Sequence, residues 1–239
     1  MDSRVPIISL VGNIGAGKTT FLKRLDSIKI DERQKVMGYD YVVVFEPVDL
    51  WTKPVDLENG EKDMSILEMF YKDNKKYAFA FQMFTLQTRF EYVLQMAKEH
   101  PNKLLICERC PISDFKIFAQ MLYDAKILNN QEFMVYKKWF DMMFDILQPN
   151  IVGIAYLNVP IAICAERIIK RDRKGEGSIT MEYLHSLHDV HDKWLSKEVI
   201  VNSKGNLYPI YQIEFTNDKY DIDLDKFSCF VKSVIIPYL

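Results

Sequence analysis

Short, nearly continuous apolar runs recur along the chain at 6–11, 41–45, 104–107, 151–157 and 208–215. They are rich in β-branched residues and lack the polar–apolar alternation of a strand with one wet face. They therefore predict strands buried on both faces. Between them lie longer stretches whose apolar positions recur at helical spacing: 18–28, 74–99, 130–147, 160–170, 180–199 and 224–237. Strands alternating with helices predict an α/β fold of three layers, α/β/α, around a central five-stranded parallel sheet. Two segments break the pattern. Residues 48–63 contain Pro54, Asn59 and Gly60 and read as irregular. Residues 172–178, DRKGEGS, are charged and glycine-containing between two helices, the composition of a mobile loop.

Length and composition narrow this picture. A chain of 239 residues with no repeat and no composition shift is expected to form one domain, 1–239. Its 49% hydrophobic and 27% charged residues are those of an ordinary globular core and surface. A formal net charge of −2 argues against nucleic acid as a partner, since a polyanion needs a basic face. No apolar stretch approaches the roughly 20 residues that span a bilayer, so no membrane partner is expected. The opening residues MDSRVPIISLVG carry too short an apolar run for a signal peptide, and the expected location is the cytoplasm. Cys107 and Cys110 are spaced C-x-x-C, but there is no second pair for zinc and no thioredoxin-like context. Reduced thiols are the expectation for all four cysteines. His185, His188 and His191 recur at a spacing of three without an HExxH pattern, and no metal site is expected there.

The chemistry begins where the first strand ends. Gly12, Asn13, Ile14, Gly15, Ala16, Gly17, Lys18 and Thr19 satisfy G-x-x-x-x-G-K-[ST] between a predicted strand and a predicted helix. Glycines let the backbone wrap phosphates closely, and successive N–H groups at a helix N-terminus face their charge. Lys18 would reach the β- and γ-phosphates, and the Thr19 hydroxyl would ligate Mg²⁺, with Thr20 beside it. This predicts a bound nucleoside triphosphate. Two further strands deliver charge to the same crevice, because strands of such sheets open onto it at their C-terminal ends. One ends in Glu46, five residues before Trp51, and the other in Glu108 and Arg109. A kinase that phosphorylates a hydroxyl needs a carboxylate base beside an acceptor pocket, and Glu46 with Trp51 fits that need.

The segments GNIGAGKTTF, FEPVDLW, FAFQMFTLQTR, ERCPISDFKIFA, RIIKRDR and EYLHSLHDVHDKWL occur in an order that resembles the deoxyribonucleoside kinase family. The likeness is to its deoxycytidine, deoxyguanosine and deoxyadenosine kinase branch and runs from about residue 7 to 194. The resemblance implies ATP-dependent phosphorylation of a deoxynucleoside 5′-hydroxyl in nucleotide salvage, with Mg²⁺ as cofactor. Under it, Glu46 resembles the general base, Arg109 the arginine at the 5′-oxygen and transferring phosphoryl group, and Glu108 a carboxylate that helps hold Mg²⁺. Gln82, Thr85 and Arg89 share one face of the base-recognition helix, and Asp114 resembles the acidic partner of Arg89. That pair belongs to cytosine- and purine-using members and implies deoxycytidine or a purine deoxynucleoside. Trp51, Phe81 and Phe118 would form the aromatic slot for the base, while Tyr71 and Glu176 resemble the pair that bonds the 3′-hydroxyl. Arg167, Arg171 and Arg173 resemble the arginines of a lid spanning roughly 167–178. The family's serine after the Glu-Arg pair is replaced by Cys110, and Thr85 stands where residue size tunes base choice. The resemblance implies a homodimer through helices 74–99 and 130–147. The alternative reading is a nucleoside-monophosphate kinase of the thymidylate kinase type, which shares the fold, loop and basic lid.

Overall fold

Every residue of β1 (Ile7–Gly12) is buried, and its side chains alternate between two apolar layers. Ile7 and Val11 enter one layer, Ile8 and Leu10 the other. Such two-sided burial explains why the apolar runs read as continuous rather than alternating. The computed structural model describes residues 5–28, 32, 38–56, 62–197, 199–201, 205, 207–214 and 224–235.

The other strands are β2 (Tyr41–Val44), β5 (Leu104–Glu108), β6 (Ile151–Asn158), β7 (Val199–Val201) and β8 (Leu207–Glu214), with a separate two-strand hairpin of β3 (Val55–Asp56) and β4 (Lys62–Asp63). The main sheet has six strands in the order β2-β5-β1-β6-β8-β7. The five expected strands are present and pair in parallel. The expectation of five strands, all parallel, is corrected by β7, which pairs antiparallel with β8 at the edge. The sequence pattern assigned its start to a helix over 180–199. In the structure that helix stops at Leu195, and Val199, Ile200 and Val201 run on as a strand. Three β-branched residues in succession crowd a helix and suit an edge strand.

The helices are α1 (Lys18–Asp26), α2 (Val48–Thr52), α3 (Ile66–Lys72), α4 (Asn74–Glu99), α6 (Asn130–Leu147), α7 (Ile161–Arg171), α8 (Met181–Leu195) and α9 (Leu224–Ile235). A further helical run, α5, joins Pro111–Ser113, a π-helical turn Asp114–Ala119 and Gln120–Asp124. Residues 48–63 are thus not irregular throughout: they hold α2 and the small hairpin. One face of the sheet is covered by Phe21 and Leu25 of α1, Cys164 of α7 and Phe227 and Val231 of α9. The other face is covered by Phe90 of α4, Ile117 of α5, Tyr136 and Phe140 of α6 and Leu187 of α8. These are the expected three layers. Among the described residues no helix is long and apolar enough to cross a membrane.

Side-chain caps set several helix starts. Ser65 and Glu68 form a capping box at α3, and Asn129 and Glu132 form one at α6. Each box satisfies two backbone N–H groups left over at a helix start. The strand order reverses direction around β1, so the C-terminal ends of β2, β5, β1 and β6 frame one crevice.

Candidate active site

The loop from β1 into α1 needs glycine where the backbone turns left-handed. Gly15 has φ 78°, and a Cβ there would stand 2.3 Å from the Cys164 carbonyl oxygen of α7. No side chain fits that approach. Gly17, at φ 91°, caps α1. Asn13 spends its side chain on the scaffold, donating from Nδ2 to the Leu184 carbonyl (2.9 Å) and accepting from the Ile14 amide (2.8 Å). Any contact it makes with a phosphate is therefore through its backbone.

Lys18 is buried and folds across the loop, its Nζ donating to the carbonyls of Gly12 (3.1 Å) and Asn13 (2.8 Å). Burial first, and the Arg109 charge second, bring its pKa down to about 7. Thr19 Oγ1 donates to both carboxylate oxygens of Glu108, at 2.9 and 3.0 Å. A neutral hydroxyl beside a buried carboxylate is a pair of hard oxygen donors that fits Mg²⁺. Beside this pair a cleft is lined by Gly15, Gly17, Thr20, Arg167, Arg171 and Arg173. Arg167 donates to the Ala16 carbonyl at 3.3 Å, which ties α7 to the loop.

A second cleft adjoins the first and shares Gly15, Lys18, Thr19 and Glu108 with it. At its centre Glu46, just past β2, has one oxygen held by Arg89 Nη2 and the other by Arg109 Nη1 at 2.7 Å. Burial pushes the Glu46 carboxyl up, but Arg109, Arg89 and Lys18 outweigh it and hold the pKa near 2. Arg109 has a left-handed backbone, φ 58°, rare outside glycine and common at functional sites. Its amide donates to the Leu10 carbonyl (2.9 Å) and its Nη2 to the Gly12 carbonyl (3.3 Å). Arg89, from α4, also bonds Asp114 in the π-helical turn of α5, and Tyr136 donates to the other Asp114 oxygen at 2.8 Å. The Arg89 guanidinium lies 4.6 Å from the Trp51 ring and 5.9 Å from that of Phe118.

An aromatic wall completes this cleft. Phe81 stacks on Phe70 (4.6 Å between centroids, 17° between planes) and meets Trp51 edge-on at 6.2 Å. Trp51 is fixed by its Nε1, which donates to Thr88 Oγ1 at 2.9 Å. Gln82 is 2% exposed, and its Oε1 has no hydrogen-bond partner. A buried amide oxygen left alone costs about 1–3 kcal/mol, so it marks where a ligand's donor belongs. Thr85, one turn on, spends its hydroxyl on the Gln82 carbonyl at 3.1 Å.

A model of the family described as deoxynucleoside kinase matches residues 8–235. The chain belongs to the deoxynucleoside kinase family. It is 32% identical over 215 residues to a probable deoxycytidine kinase of fowlpox virus (strain NVSL), covering 90% of this chain and 80% of the relative. It is 29% identical over 251 residues to the deoxycytidine kinase of Homo sapiens, covering 97% and 93%. It is 30% identical over 218 residues to the mitochondrial deoxyguanosine kinase of Xenopus laevis, covering 86% and 79%. The protein is thus a deoxynucleoside kinase, an ATP-dependent phosphotransferase, with a nucleoside triphosphate as donor and a deoxynucleoside as acceptor.

In this kinase, residues 172–178 are anchored rather than free. Glu176 is 4% exposed and starts a short 3₁₀ turn, Glu176–Ser178. It accepts from Arg171 (Nε 3.1 Å, Nη2 2.6 Å) and from Arg173 (3.0 Å). Composition showed the charges but not that Glu176 draws in both Arg173 and the preceding Arg171. Tyr71 and Phe118 line the second cleft. So do Val48, Leu67, Phe70 and Tyr183, which the sequence reading missed. Phe70 was within reach: the capping box Ser65-x-x-Glu68 announces a helix start, and Ile66, Leu67 and Phe70 follow at helical spacing.

Two other features belong to the core. His191 is fully buried, its Nδ1 2.6 Å from the Leu187 carbonyl and its ring stacked on Tyr156. Burial lowers its pKa to about 3, so it is neutral. Cys107 and Cys110 are buried free thiols, and burial pushes both pKa values up. At the substituted position, Ser113 Oγ donates to the Cys110 carbonyl (2.7 Å) and accepts from its amide (3.0 Å), and the Cys110 side chain accepts from the Ser113 amide, so the two residues form a capping box at the start of α5.

Proposed function

We propose that the protein transfers the γ-phosphate of ATP to the 5′-hydroxyl of deoxycytidine or a purine deoxynucleoside, in nucleotide salvage. The observation that carries the base preference is the unpartnered Gln82 Oε1 on the same cleft as the Asp114 carboxylate. Acceptors lining one cleft suit an exocyclic amino group, and the Gln82 amide can also donate to a ring nitrogen or carbonyl. Thymine offers a carbonyl where that amino group would be, and a carbonyl facing the Asp114 carboxylate is repelled rather than bonded. A site built on hydrogen bonds rejects such a partner strongly.

In this reading Trp51, Phe81 and Phe118 hold the base, and Tyr71 and Glu176 the 3′-hydroxyl. Gly12 to Thr20 and the arginines 167, 171 and 173 hold the phosphates. Glu46 takes the 5′-hydroxyl proton as that oxygen attacks the γ-phosphorus, and Arg109 neutralises charge on the transferring group. With its pKa near 2, Glu46 is ionised at every working pH. Thr19 and Glu108 would hold Mg²⁺, which supplies charge neutralisation on the phosphates. A monophosphate acceptor is disfavoured because Arg89, the cation of this cleft not assigned to the donor phosphates, is already held between Glu46 and Asp114.

One domain carries both halves, with the lid over 167–178. The quaternary proposal is a homodimer through α4 and α6. It is supported by an apolar stripe on α6, where Val135, Trp139, Met142 and Ile146 are exposed at helical spacing. The unpaired cysteines fit a reducing compartment such as the cytoplasm. The test is initial rates with the four deoxynucleosides at fixed MgATP. Thymidine should turn over at least about tenfold more slowly than the best of the others. Equal rates for thymidine would remove the base assignment.

A further inference from the structure

The lid touches the acceptor side at a place the reaction itself does not use. Adjacent lid residues face opposite ways. Arg173 turns in to Glu176, whereas Lys174 reaches out to α3 and meets Glu68 Oε1 at 2.7 Å. Glu68 is a buried carboxylate with two jobs. Its Oε2 closes the α3 capping box, accepting from the Ser65 amide (3.0 Å) and hydroxyl (2.8 Å). Its Oε1 is the oxygen that Lys174 takes. Next along the lid, Gly175 has φ 89°, and a Cβ there would lie 3.4 Å from Glu68 Cγ and 3.6 Å from Tyr71 Cδ2. Ser178 Oγ then donates to the Gly175 carbonyl (3.0 Å) and lies 3.4 Å from that of Tyr71.

These contacts make α3 a hub. Its inner face gives Leu67, Phe70 and Tyr71 to the acceptor cleft. Its N-terminal turn holds the lid that carries Arg171, Arg173 and Glu176. We propose that Glu68 and Lys174 are positioning residues, an ionic brace that docks the lid on α3 and so keeps Glu176 at the acceptor cleft. The brace rests on the reading of Glu176 as an acceptor-site residue. Losing it would release Glu176 from the nucleoside before it disturbs the phosphate loop, because Arg167 remains tied to Ala16 on the other side. Lys174 is 82% exposed on its side chain, so the pair has the modest strength of a surface ion pair and is screened by salt.

The experiment is steady-state kinetics of the full chain at low and high ionic strength, with KM for the deoxynucleoside, KM for ATP and kcat measured separately. Lys174→Met should raise the deoxynucleoside KM about two- to fivefold, with the ATP KM and kcat much less changed. Lys174→Arg should restore the KM. Added salt should raise the wild-type KM toward that of Lys174→Met and leave the variant flat, which a merely structural side chain would not do. Glu68→Gln should match Lys174→Met, but it also weakens the α3 cap. The exposed Lys174 variants therefore decide. An unchanged KM in Lys174→Met, or the same salt response as wild type, overturns the brace. Glu176→Gln separates the two levels: if it raises the deoxynucleoside KM while Lys174→Met is silent, the brace fails and the acceptor assignment stands. If Glu176→Gln is itself silent, the acceptor assignment fails and takes the brace with it.

Discussion

On the proposed assignment, the donor half and the acceptor half of this site are made of different material. The donor half is built around one contiguous stretch, Gly12 to Thr20, in which backbone groups and a helix start do much of the work and glycine is required by geometry, with Glu108 and the lid arginines joining it from elsewhere. The acceptor half is assembled from side chains on separate elements: Glu46 after β2, Trp51 on α2, Tyr71 on α3, Gln82 and Arg89 on α4, Asp114 and Phe118 on α5 and Glu176 on the lid. Charge is handled differently too. In the acceptor half the arginines have carboxylate partners, whereas in the donor half Lys18 has only backbone carbonyls. A contiguous backbone site tolerates little change in chain geometry. A dispersed side-chain site tolerates geometry but depends on single functional groups.

The sharpest way to break this contrast is at Glu46. Glu46→Gln keeps the shape and the hydrogen-bonding reach but removes the proton acceptor. General-base catalysis is worth roughly 10²–10⁴-fold, so kcat should fall by about that factor while binding of the deoxynucleoside changes little. Single-turnover rates with binding titrations check this. Full turnover by the variant would remove Glu46 from its role and with it the claim that one side chain dominates the acceptor half.

The contrast also explains what could be read from the chain. The P-loop is legible because its residues are neighbours and the backbone forces their identity. Glu46, Glu108 and Arg109 are legible because apolar strands end at them. Arg89 and Asp114 lie 25 residues apart and meet across α4 and α5, so only resemblance joined them. The π-helical turn that holds Asp114 and Phe118 leaves no periodic trace in six residues. The helical pattern over 180–199 takes in Val199, the first residue of β7, because three residues are too few to set a period of their own. The lid's composition showed its charges, but not that Glu176 is buried by Arg171 and Arg173.

The second prediction tests the donor half in kind. Gly15→Ala changes one methyl group. A left-handed backbone costs a side-chain-bearing residue roughly 1–2 kcal/mol, and the contact with the Cys164 carbonyl adds to that. For a chain of this length each kcal/mol shifts Tm by about 2–4 °C, so Tm should fall by at least about 2–8 °C. The KM for ATP should rise more than that for the deoxynucleoside. Calorimetry and steady-state kinetics measure both, and an unchanged ATP KM would show that the loop adapts more than a backbone site should.

The smallest effect comes from the difference in charge handling. Without ligand, Lys18 has a pKa of about 7, lowered by burial and by Arg109. A bound triphosphate favours the protonated form and raises that pKa, so binding takes up a proton wherever the free lysine has lost it. Above about pH 7 the affinity for the triphosphate should therefore fall with rising pH, by up to about tenfold per unit, until the bound-state pKa is passed. Below pH 7 Lys18 is already charged and contributes no slope. Glu46, held near 2, does not titrate in this range, so deoxynucleoside affinity should stay flat from pH 6 to 9. Lys18→Arg, always protonated, should flatten the triphosphate curve even if it binds less tightly. Calorimetric titrations in buffers of different ionisation enthalpy count the proton directly. Uptake above pH 7 on the donor side alone would place the pH sensitivity of the reaction in Lys18, a buried cation whose hydrogen bonds go to backbone carbonyls.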